Sequence, residues 1–373
     1  MNCKNLNESE RHPIQKTLLM VFAGFLIVSG CKDKITDTGE IIRPEPGGRN
    51  YVWEVDTLNM PMNLIHSVWG ASPDDVWAVG MGGTMVDRLL HYNGEEWTTY
   101  TKEIIWCAGA TLFGFSADDV WMGGQAGWLA HGAGIWHFDG VEWTENYVYD
   151  IEGSYDVQVD DIWGTGPNDV YACGIIGYYD SVTSFWRGFV LHYDGNRWKE
   201  IARANFNSQF ITIRKEQDDI YLFSYANSYE APSLAEDAYL EFYRLKGNRF
   251  EKIYSVKESQ MPWISLYSVN GKVYFVIAYD VYKYVYGKFI KLFSIQNENF
   301  GFQICGRNTC DLFLSMKDGL AHFNGTDVEY LYSFTRSSIM LLKNAVLLEK
   351  DVFFCGFTRP DRYNLVLHGA LQE

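Results

Sequence analysis

The sequence predicts an all-β fold, a seven-bladed β-propeller in which the N-terminal strand closes the last blade. The first observation behind this prediction is a repeat that occurs seven times between Val68 and Gly369. Most copies hold an apolar run, a strand that begins with Asp, an aromatic strand and a tight turn. The second observation is alternation of period two within the copies, as in Val76 to Val79, which is typical of strands. Repeats of this length with four short β runs are typical of propeller blades.

The copies align on the residue that precedes the apolar run of the second strand. These residues are Asp75, Asp119, Asp169, Asp219, Lys272, Asp311 and Asp351, at steps of 44, 50, 50, 53, 39 and 40. Asn-Gly or Asp-Gly pairs at 93–94, 139–140, 194–195 and 324–325 supply the positive φ angles that tight hairpins require. No stretch of helical period interrupts the chain after its N-terminal segment, so each copy is expected to be a β sheet.

The two ends of the repeat region complement each other. The seventh copy lacks a fourth strand, because the sequence given ends at Glu373. Residues 51–57 resemble residues 95–100, the fourth strand of the first copy. We therefore expect the N-terminal strand to complete the last blade and to cover an edge that would otherwise be open for pairing. Residues 51–373 then form one propeller domain, since stacked blades share a continuous core.

The N-terminal residues have the features of an export signal. Lys16 precedes an apolar run, 17–28, that is too short to span a bilayer and fits a signal peptide. Residues 26–31 resemble the bacterial lipobox, which implies a lipoprotein signal peptide over 1–30, cleavage before Cys31 and acylation of its sulfur. An ordinary secretory signal with an incidental cysteine is the alternative. Residues 31–50, rich in polar residues, Pro and Gly, are expected to be a flexible tether.

Such an anchor implies a location in the cell envelope, most simply the outer membrane of a Gram-negative bacterium, with the periplasmic or surface side left open. The formal net charge of −16 argues against a nucleic acid partner and against adsorption of the body to anionic lipid. The body is expected to be monomeric and to hold no cofactor. No Cys/His spacing suggests a metal site.

Cys305 and Cys310 flank a short connection and could form a disulfide there, with two free thiols as the alternative.

Most of the residues that could support catalysis occupy repeated positions, which favours a structural role. Five histidines share one place in the third strand: His91, His137, His192, His322 and His368. Trp97, Trp143 and Trp198 share another and are expected to pack between blades. The Asp pairs precede the second strand, where an Asp can cap its own turn. No residue is therefore singled out as catalytic.

Candidate binding residues are those that the repeat does not require. Connections after the second and fourth strands of a blade emerge on one face, which is predicted to carry the longer loops. We expect ligand-binding aromatics there: Trp106, Trp128, Tyr155, Tyr178, Tyr179, Trp186 and Tyr229. Exposed aromatics on long loops suit stacking on sugars or packing against a protein. The alternative is that these side chains only cover the top of the ring.

The expected function is that of a non-enzymatic protein- or glycan-binding or scaffolding module anchored in the envelope. The alternative is a glycan-acting hydrolase or lyase, which would use a pair of loop carboxylates from among Asp150, Asp156, Asp160 and Asp180. A structural part of an assembly or secretion machine is a third reading.

The repeat units resemble the propeller repeats of bacterial envelope lipoproteins and, more loosely, kelch repeats. The kelch resemblance rests on Gly82-Gly83, Tyr92 and Trp97 in the first copy, and on Gly123-Gly124 and Trp143 in the second. It implies an architecture over residues 51–373 and brings no catalytic residues with it, because such repeats serve unrelated functions.

Overall fold

The computed structural model describes residues 34–35, 41–42, 44–58, 63–82, 89–100, 107–126, 132–179, 184–226, 238–260, 263–334, 339–358 and 363–373. Most of these residues are in β strands. In this part of the chain, no helix has the length and hydropathy needed to cross a bilayer.

The strands are numbered in chain order. The N-terminal strands are β1 (Lys34–Ile35), β2 (Ile41–Ile42) and β3 (Tyr51–Leu58). Blades one to three comprise β4 (Asn63–Ser72), β5 (Asp75–Gly82), β6 (Leu89–Tyr92), β7 (Trp97–Thr99), β8 (Cys107–Ser116), β9 (Asp119–Ala126), β10 (Ala133–Phe138), β11 (Trp143–Tyr149), β12 (Asp156–Gly166), β13 (Asp169–Tyr179), β14 (Ser184–Tyr193) and β15 (Trp198–Arg203).

Blades four to seven comprise β16 (Gln209–Glu216), β17 (Asp219–Ala226), β18 (Tyr239–Lys246), β19 (Arg249–Lys257), β20 (Ile264–Val269), β21 (Lys272–Ile277), β22 (Asp280–Val285), β23 (Lys288–Ser294), β24 (Phe300–Asn308), β25 (Asp311–Met316), β26 (Gly319–Phe323), β27 (Val328–Ser333), β28 (Ile339–Leu347), β29 (Asp351–Thr358) and β30 (Asn364–Leu371). A short 3-10 helix, Glu258–Gln260, lies between the fourth and fifth blades.

The blades are antiparallel sheets arranged in a ring, which confirms the predicted fold class. Within each blade, strands that follow one another along the chain are hydrogen-bonded neighbours, and blades two and three are joined by one pairing between β9 and β12. The first strand of each blade contacts the first strand of the next. Because β28 of blade seven also contacts β4 of blade one, the ring is closed and the first strands surround its axis.

The N-terminal strand completes the seventh blade, as predicted. β3 pairs with β30 in antiparallel register from Tyr51↔Leu371 to Leu58↔Asn364, and it is the outer strand of the order β28-β29-β30-β3. The indole of Trp53 packs against Tyr332 of the sixth blade and Phe354 of the seventh, with ring centroids 5.9 and 6.4 Å apart. The last blade therefore consists of strands from both ends of the chain.

The core lies between neighbouring blades, where the aromatic residues of the repeat meet. Trp77 of blade one contacts Trp143 of blade two edge to face at 5.5 Å. Trp121 of blade two meets Trp198 of blade three in the same way, also at 5.5 Å. Edge-to-face packing suits the quadrupoles of these rings. The predicted packing role of the repeated tryptophans thus has a physical basis, since each one fills the space between two sheets.

The repeated histidines each bind the carboxylate that begins the second strand of the same blade. The Nε2–Oδ1 distances are 2.7 Å for His91–Asp75, 2.8 Å for His137–Asp119, 2.9 Å for His192–Asp169, 2.9 Å for His322–Asp311 and 2.8 Å for His368–Asp351. The imidazoles of His91, His192 and His368 also stack on the aromatic ring opposite them in the second strand, as His91 does on Trp77 at 4.2 Å.

The repeated Asp pairs contain two residues with different roles. Asp74 accepts a hydrogen bond from Ser72 Oγ in the turn, whereas Asp75 binds the histidine. In the pairs at 74–75 and 118–119, the turn role predicted for both members therefore applies only to the first.

Buried polar groups connect the inner strands. Ser67 Oγ accepts a hydrogen bond from the backbone N–H of Leu112 in the next blade, at 2.9 Å. Asp161 accepts one from the N–H of Ile213, also at 2.9 Å. Each of these bonds pairs a buried donor that the sheet ladders leave free, so they hold adjacent blades in register around the axis.

Residues 45–50 are fixed against the sixth blade. The N–H of Gly47 donates to the carbonyl of Cys310 at 3.0 Å. Arg49 forms ion pairs with Asp327 and Glu329, both at 2.9 Å. A Cβ on Gly47 would lie 2.2 Å from the Asp311 carboxylate, so only glycine permits this approach. The end of the segment predicted as a tether is thus held by blade six.

The disulfide considered between Cys305 and Cys310 is not formed. Cys305 is a free thiol, and Cys310 is disulfide-bonded to a different partner. Cys305 lies within β24 opposite Phe313 of β25, so its side chain belongs to the packed sheet. Burial raises the pKa of the Cys305 thiol to about 12, which keeps it protonated and unreactive.

Candidate functional site

The direction of the strands defines two faces of the ring. The first and third strands of a blade run towards one face, where the turns at 73–74 and 94–95 lie. The second and fourth strands run back to the opposite face, called the loop face below. Of the predicted binding residues, Trp106, Trp128 and Tyr229 lie outside the described residues, as do Asp180 and Cys31. Tyr155, Tyr178, Tyr179 and Trp186 are described, and all four lie on the loop face of blade three.

Three of these four aromatics lie on one hairpin, formed by β13 and β14, and Tyr155 packs against it from the residue before β12. β13 and β14 extend beyond the ring as a pair that reaches Tyr179↔Ser184. Tyr155 contacts Trp186 edge to face, with centroids 5.6 Å apart. Tyr178 stacks on Phe185 at 5.2 Å and an interplanar angle of 17°. We call Tyr155, Tyr178, Tyr179, Phe185, Trp186 and Arg187 the blade-three cluster.

A cation and a large exposed surface complete this cluster. The guanidinium of Arg187 lies over the rings of Tyr178 and Phe185, 5.5 and 5.4 Å from their centroids. Tyr155 is 48% exposed and Tyr179 is 62% exposed. Aromatic side chains beside an arginine are the groups that dominate the energetics of many protein interfaces. The cluster can therefore stack on a sugar ring or receive a side chain from a partner.

Neighbouring backbone groups hold the hairpin in place. The N–H of Trp186 donates to Asn207 Oδ1 and its carbonyl accepts from the N–H of Ser208, both at 3.0 Å. A Cβ on Gly177 would lie 2.8 Å from the Trp186 ring and 2.9 Å from Tyr155. Because Gly177 has no side chain, the rings of Trp186 and Tyr155 can pack directly against the backbone of β13. The hairpin thus orders two sets of side chains on its opposite faces, with Tyr155, Tyr179 and Trp186 on one face and Tyr178, Phe185 and Arg187 on the other.

The predicted carboxylates are engaged by neutral amides or exposed. Asp156 accepts a hydrogen bond from Gln125 Nε2, and Asp160 accepts one from Gln158 Nε2, both at 2.5 Å. Asp150 is exposed. Among the described side chains, no group of three or more His, Cys, Asp or Glu is placed to hold a metal ion.

A second candidate site, which the sequence reasoning did not identify, is a cavity of about 300 Å³ on the loop face. Its walls come from the inner strands β16, β20 and β24, from the end of β17 and from the connection that precedes β20. The side chains that matter most below are Arg214, Glu258, Trp263, Phe302 and Gln303. We call this cavity the inner pocket. It lies beside the axis, in blades four to six.

Aromatic rings form the rim of the inner pocket. Trp263 is 46% exposed and lies nearly parallel to Phe302, at 24° with centroids 6.4 Å apart. Tyr279 contacts the same Phe302 at 5.7 Å. Deeper in the pocket, burial raises the pKa of the Tyr267 phenol well above its ordinary value, so this group stays neutral.

The inner pocket exists because β24 bulges. Its pairing with β25 passes from Phe300↔Met316 directly to Ile304↔Leu314, which leaves residues 301–303 outside the ladder. Phe302 has a φ of +66°, an unusual conformation for a bulky residue. The hydroxyl of Ser265 holds it by donating to its carbonyl at 2.6 Å. The run Gly-Phe-Gln shows no break of period that would have indicated this bulge in the sequence.

No family model matches the sequence, and no curated protein matches it as a relative. Solved structures match the fold. Virginiamycin B lyase from Staphylococcus aureus has a TM-score of 0.57 at 15% identity, over 86% of this chain and 100% of that one. A puromycin-hydrolyzing peptidase from Mycobacterium tuberculosis has a TM-score of 0.55 at 9% identity, over 91% of this chain and 54% of that one.

The extracellular domain of a hybrid two-component system from B. thetaiotaomicron is also similar, with a TM-score of 0.51 at 13% identity. The match covers 84% of this chain and 39% of that one. These proteins include a lyase, a peptidase and the extracellular domain of a two-component system. At such low identities the likeness extends to the β-propeller fold alone.

Proposed function

We propose that this chain is an envelope lipoprotein, anchored through Cys31, that binds a protein or glycan partner without catalysing a reaction. The blade-three cluster is the observation that carries this proposal. On one hairpin of the loop face, it offers exposed aromatic rings on one side and a guanidinium stacked on aromatic rings on the other.

The composition of the cluster supports a binding role. Tyr179 and Tyr155 offer large flat surfaces that lose little conformational entropy on binding, because the hairpin already orders them. Arg187 adds a donor whose planar group can pair with a carboxylate or with sugar hydroxyls. Such a site gains affinity from stacking. Each aromatic pair contributes about 0.5–1.5 kcal/mol in addition to the free energy of burying its apolar surface.

The described polar groups support a non-enzymatic role. Each of the five repeated histidines is committed to a carboxylate of its own blade, which is a structural use. A glycosidase needs two carboxylates that face each other across a sugar. Glu258 is the single carboxylate that lines the inner pocket among the described residues, and Tyr225 already donates to it at 3.0 Å.

The test is to screen the protein against immobilised envelope oligosaccharides and peptides and then to measure the Trp186→Ala and Tyr179→Ala variants. We expect each variant to weaken binding about tenfold or more, since interface aromatics often contribute over 1 kcal/mol. Tyr363→Ala is the matched control, because Tyr363 is 59% exposed on the same face of blade seven. Equal losses in all three variants, or none in the cluster variants, would contradict the proposed role.

A further inference from the structure

We propose that the inner pocket binds a neutral aromatic ring that carries an N–H or O–H donor, such as an indole or a phenol. This site is separate from the blade-three cluster and the inference does not depend on the function proposed above. The ring could belong to a free small molecule or to an aromatic side chain of a peptide.

The size of the pocket limits the ligand. A cavity of about 300 Å³ is at the small end of ligand sites in proteins and accommodates a one- or two-ring compound. An extended oligosaccharide does not fit into such a volume. The pocket opens to the loop face beside Trp263, whose half-exposed ring gives an entering ring a surface on which to stack.

An unpaired acceptor determines the polar group of the ligand. Gln303 lines the pocket, and its side-chain oxygen is buried with no hydrogen bond from any described residue. Buried acceptors are nearly always paired, because desolvation without a partner is costly. A ligand N–H or O–H that enters the pocket can supply the missing bond. This requirement separates indole from its N-methylated form, which has almost the same shape.

The charges around the pocket favour a neutral ligand. Arg214 is the cation that lines it among the described residues, and its guanidinium already pairs with Asp161. The carboxylate of Glu258 accepts a hydrogen bond from Tyr225. Neither group requires an oppositely charged ligand. The neutral phenol of Tyr267 adds no charge.

The strained backbone of the bulge points to a function for this site. Phe302 adopts a positive φ, and such residues persist where the surrounding structure imposes the conformation, often at ligand sites. Here the strain places the Phe302 ring against Trp263 and Tyr279, so that three rings border the opening. Residues 301–303, which the bulge removes from the ladder with β25, all line the pocket.

The experiment titrates the full chain with indole, 1-methylindole and N-acetyltryptophanamide, by calorimetry and by ligand-observed NMR. We expect saturable 1:1 binding of indole that is about tenfold tighter than that of 1-methylindole, the usual effect of one buried hydrogen bond. Binding of N-acetyltryptophanamide to the same site would identify a peptide as the source of the ring. Its failure to bind, with indole still bound, would identify a small molecule.

Two variants and one control locate the binding. Gln303→Met keeps the volume and removes the acceptor, so it should bind indole and 1-methylindole equally. Trp263→Ala, at a half-exposed position that should tolerate truncation, should weaken both about tenfold. Trp186→Ala should leave both unchanged, which separates this inference from the role proposed for the blade-three cluster. Absence of indole binding, or a preference for indole that survives in Gln303→Met, would overturn the proposal.

Discussion

The closure of the ring by β3 gives a quantitative prediction for Trp53→Ala. The Trp53 side chain contacts Tyr51 at 5.3 Å, Tyr332 at 5.9 Å and Phe354 at 6.4 Å, so it connects β3 to blades six and seven. Truncation of a fully buried large aromatic costs about 3–5 kcal/mol. Because Trp53 is only partly buried, we expect about 2 kcal/mol.

Val52→Ala is the matched control on the same strand. Val52 is 55% exposed and lies on the face of β3 opposite Trp53, so its truncation should change stability by less than about 0.5 kcal/mol. Urea unfolding measures the stability of both variants. It is followed by far-ultraviolet circular dichroism, because this signal does not rely on tryptophan fluorescence. For thermal unfolding we expect Trp53→Ala to lower the midpoint by about 4 °C, at the lower end of the range for domains of this size.

Two results would refute this reasoning. If Trp53→Ala and Val52→Ala destabilise equally, the contribution of β3 does not depend on packing against blades six and seven. If neither changes the unfolding curve, β3 does not contribute to the cooperative unit, and the seventh blade must be stable with an open edge.

Two further predictions concern charge and location. Asp311 is buried, which by itself would raise its pKa, but hydrogen bonds from His322 and Arg307 outweigh burial and lower it. Ionised Asp311 therefore stabilises the fold above the pKa of an unfolded Asp, and this stabilisation is lost as the pH falls below about 4. Asp311→Asn should cost about 3 kcal/mol in urea unfolding at pH 7, and its difference from the wild type should shrink in acid; a pH-independent difference would count against this account. Cys31→Ser should move the protein from the membrane fraction to the soluble fraction, and unchanged fractionation would contradict lipid anchoring.

The fold could be predicted because its determinants are local and repeated. Alternation of period two recurs in the copies, and Asn-Gly or Asp-Gly turns recur in four of them, so an ambiguous signal in one blade can be interpreted from the others. The shared position of His91 and His137 indicated a structural role before any contact was known. The structure adds the reason, which is a bond to the Asp that begins the second strand.

The candidate sites were only partly predictable. Tyr155 and Trp186 were identified because they fall outside the repeat, but the stacking of Phe185 on Tyr178 depends on the register of the hairpin. The inner pocket depends on a bulge of three residues in β24, which composition and periodicity do not encode. The pairing of Cys310 likewise depends on tertiary contacts rather than on its spacing from Cys305.

Because β3 pairs with β30, the seventh blade can be completed only when both of these strands, from opposite ends of the propeller domain, are present. Six blades are built from consecutive hairpins and can form as each segment is synthesised, but β3 must wait for the last strand. A chain that stops before Asn364 leaves both β3 and β29 with unpaired edges, which invite aggregation and proteolysis.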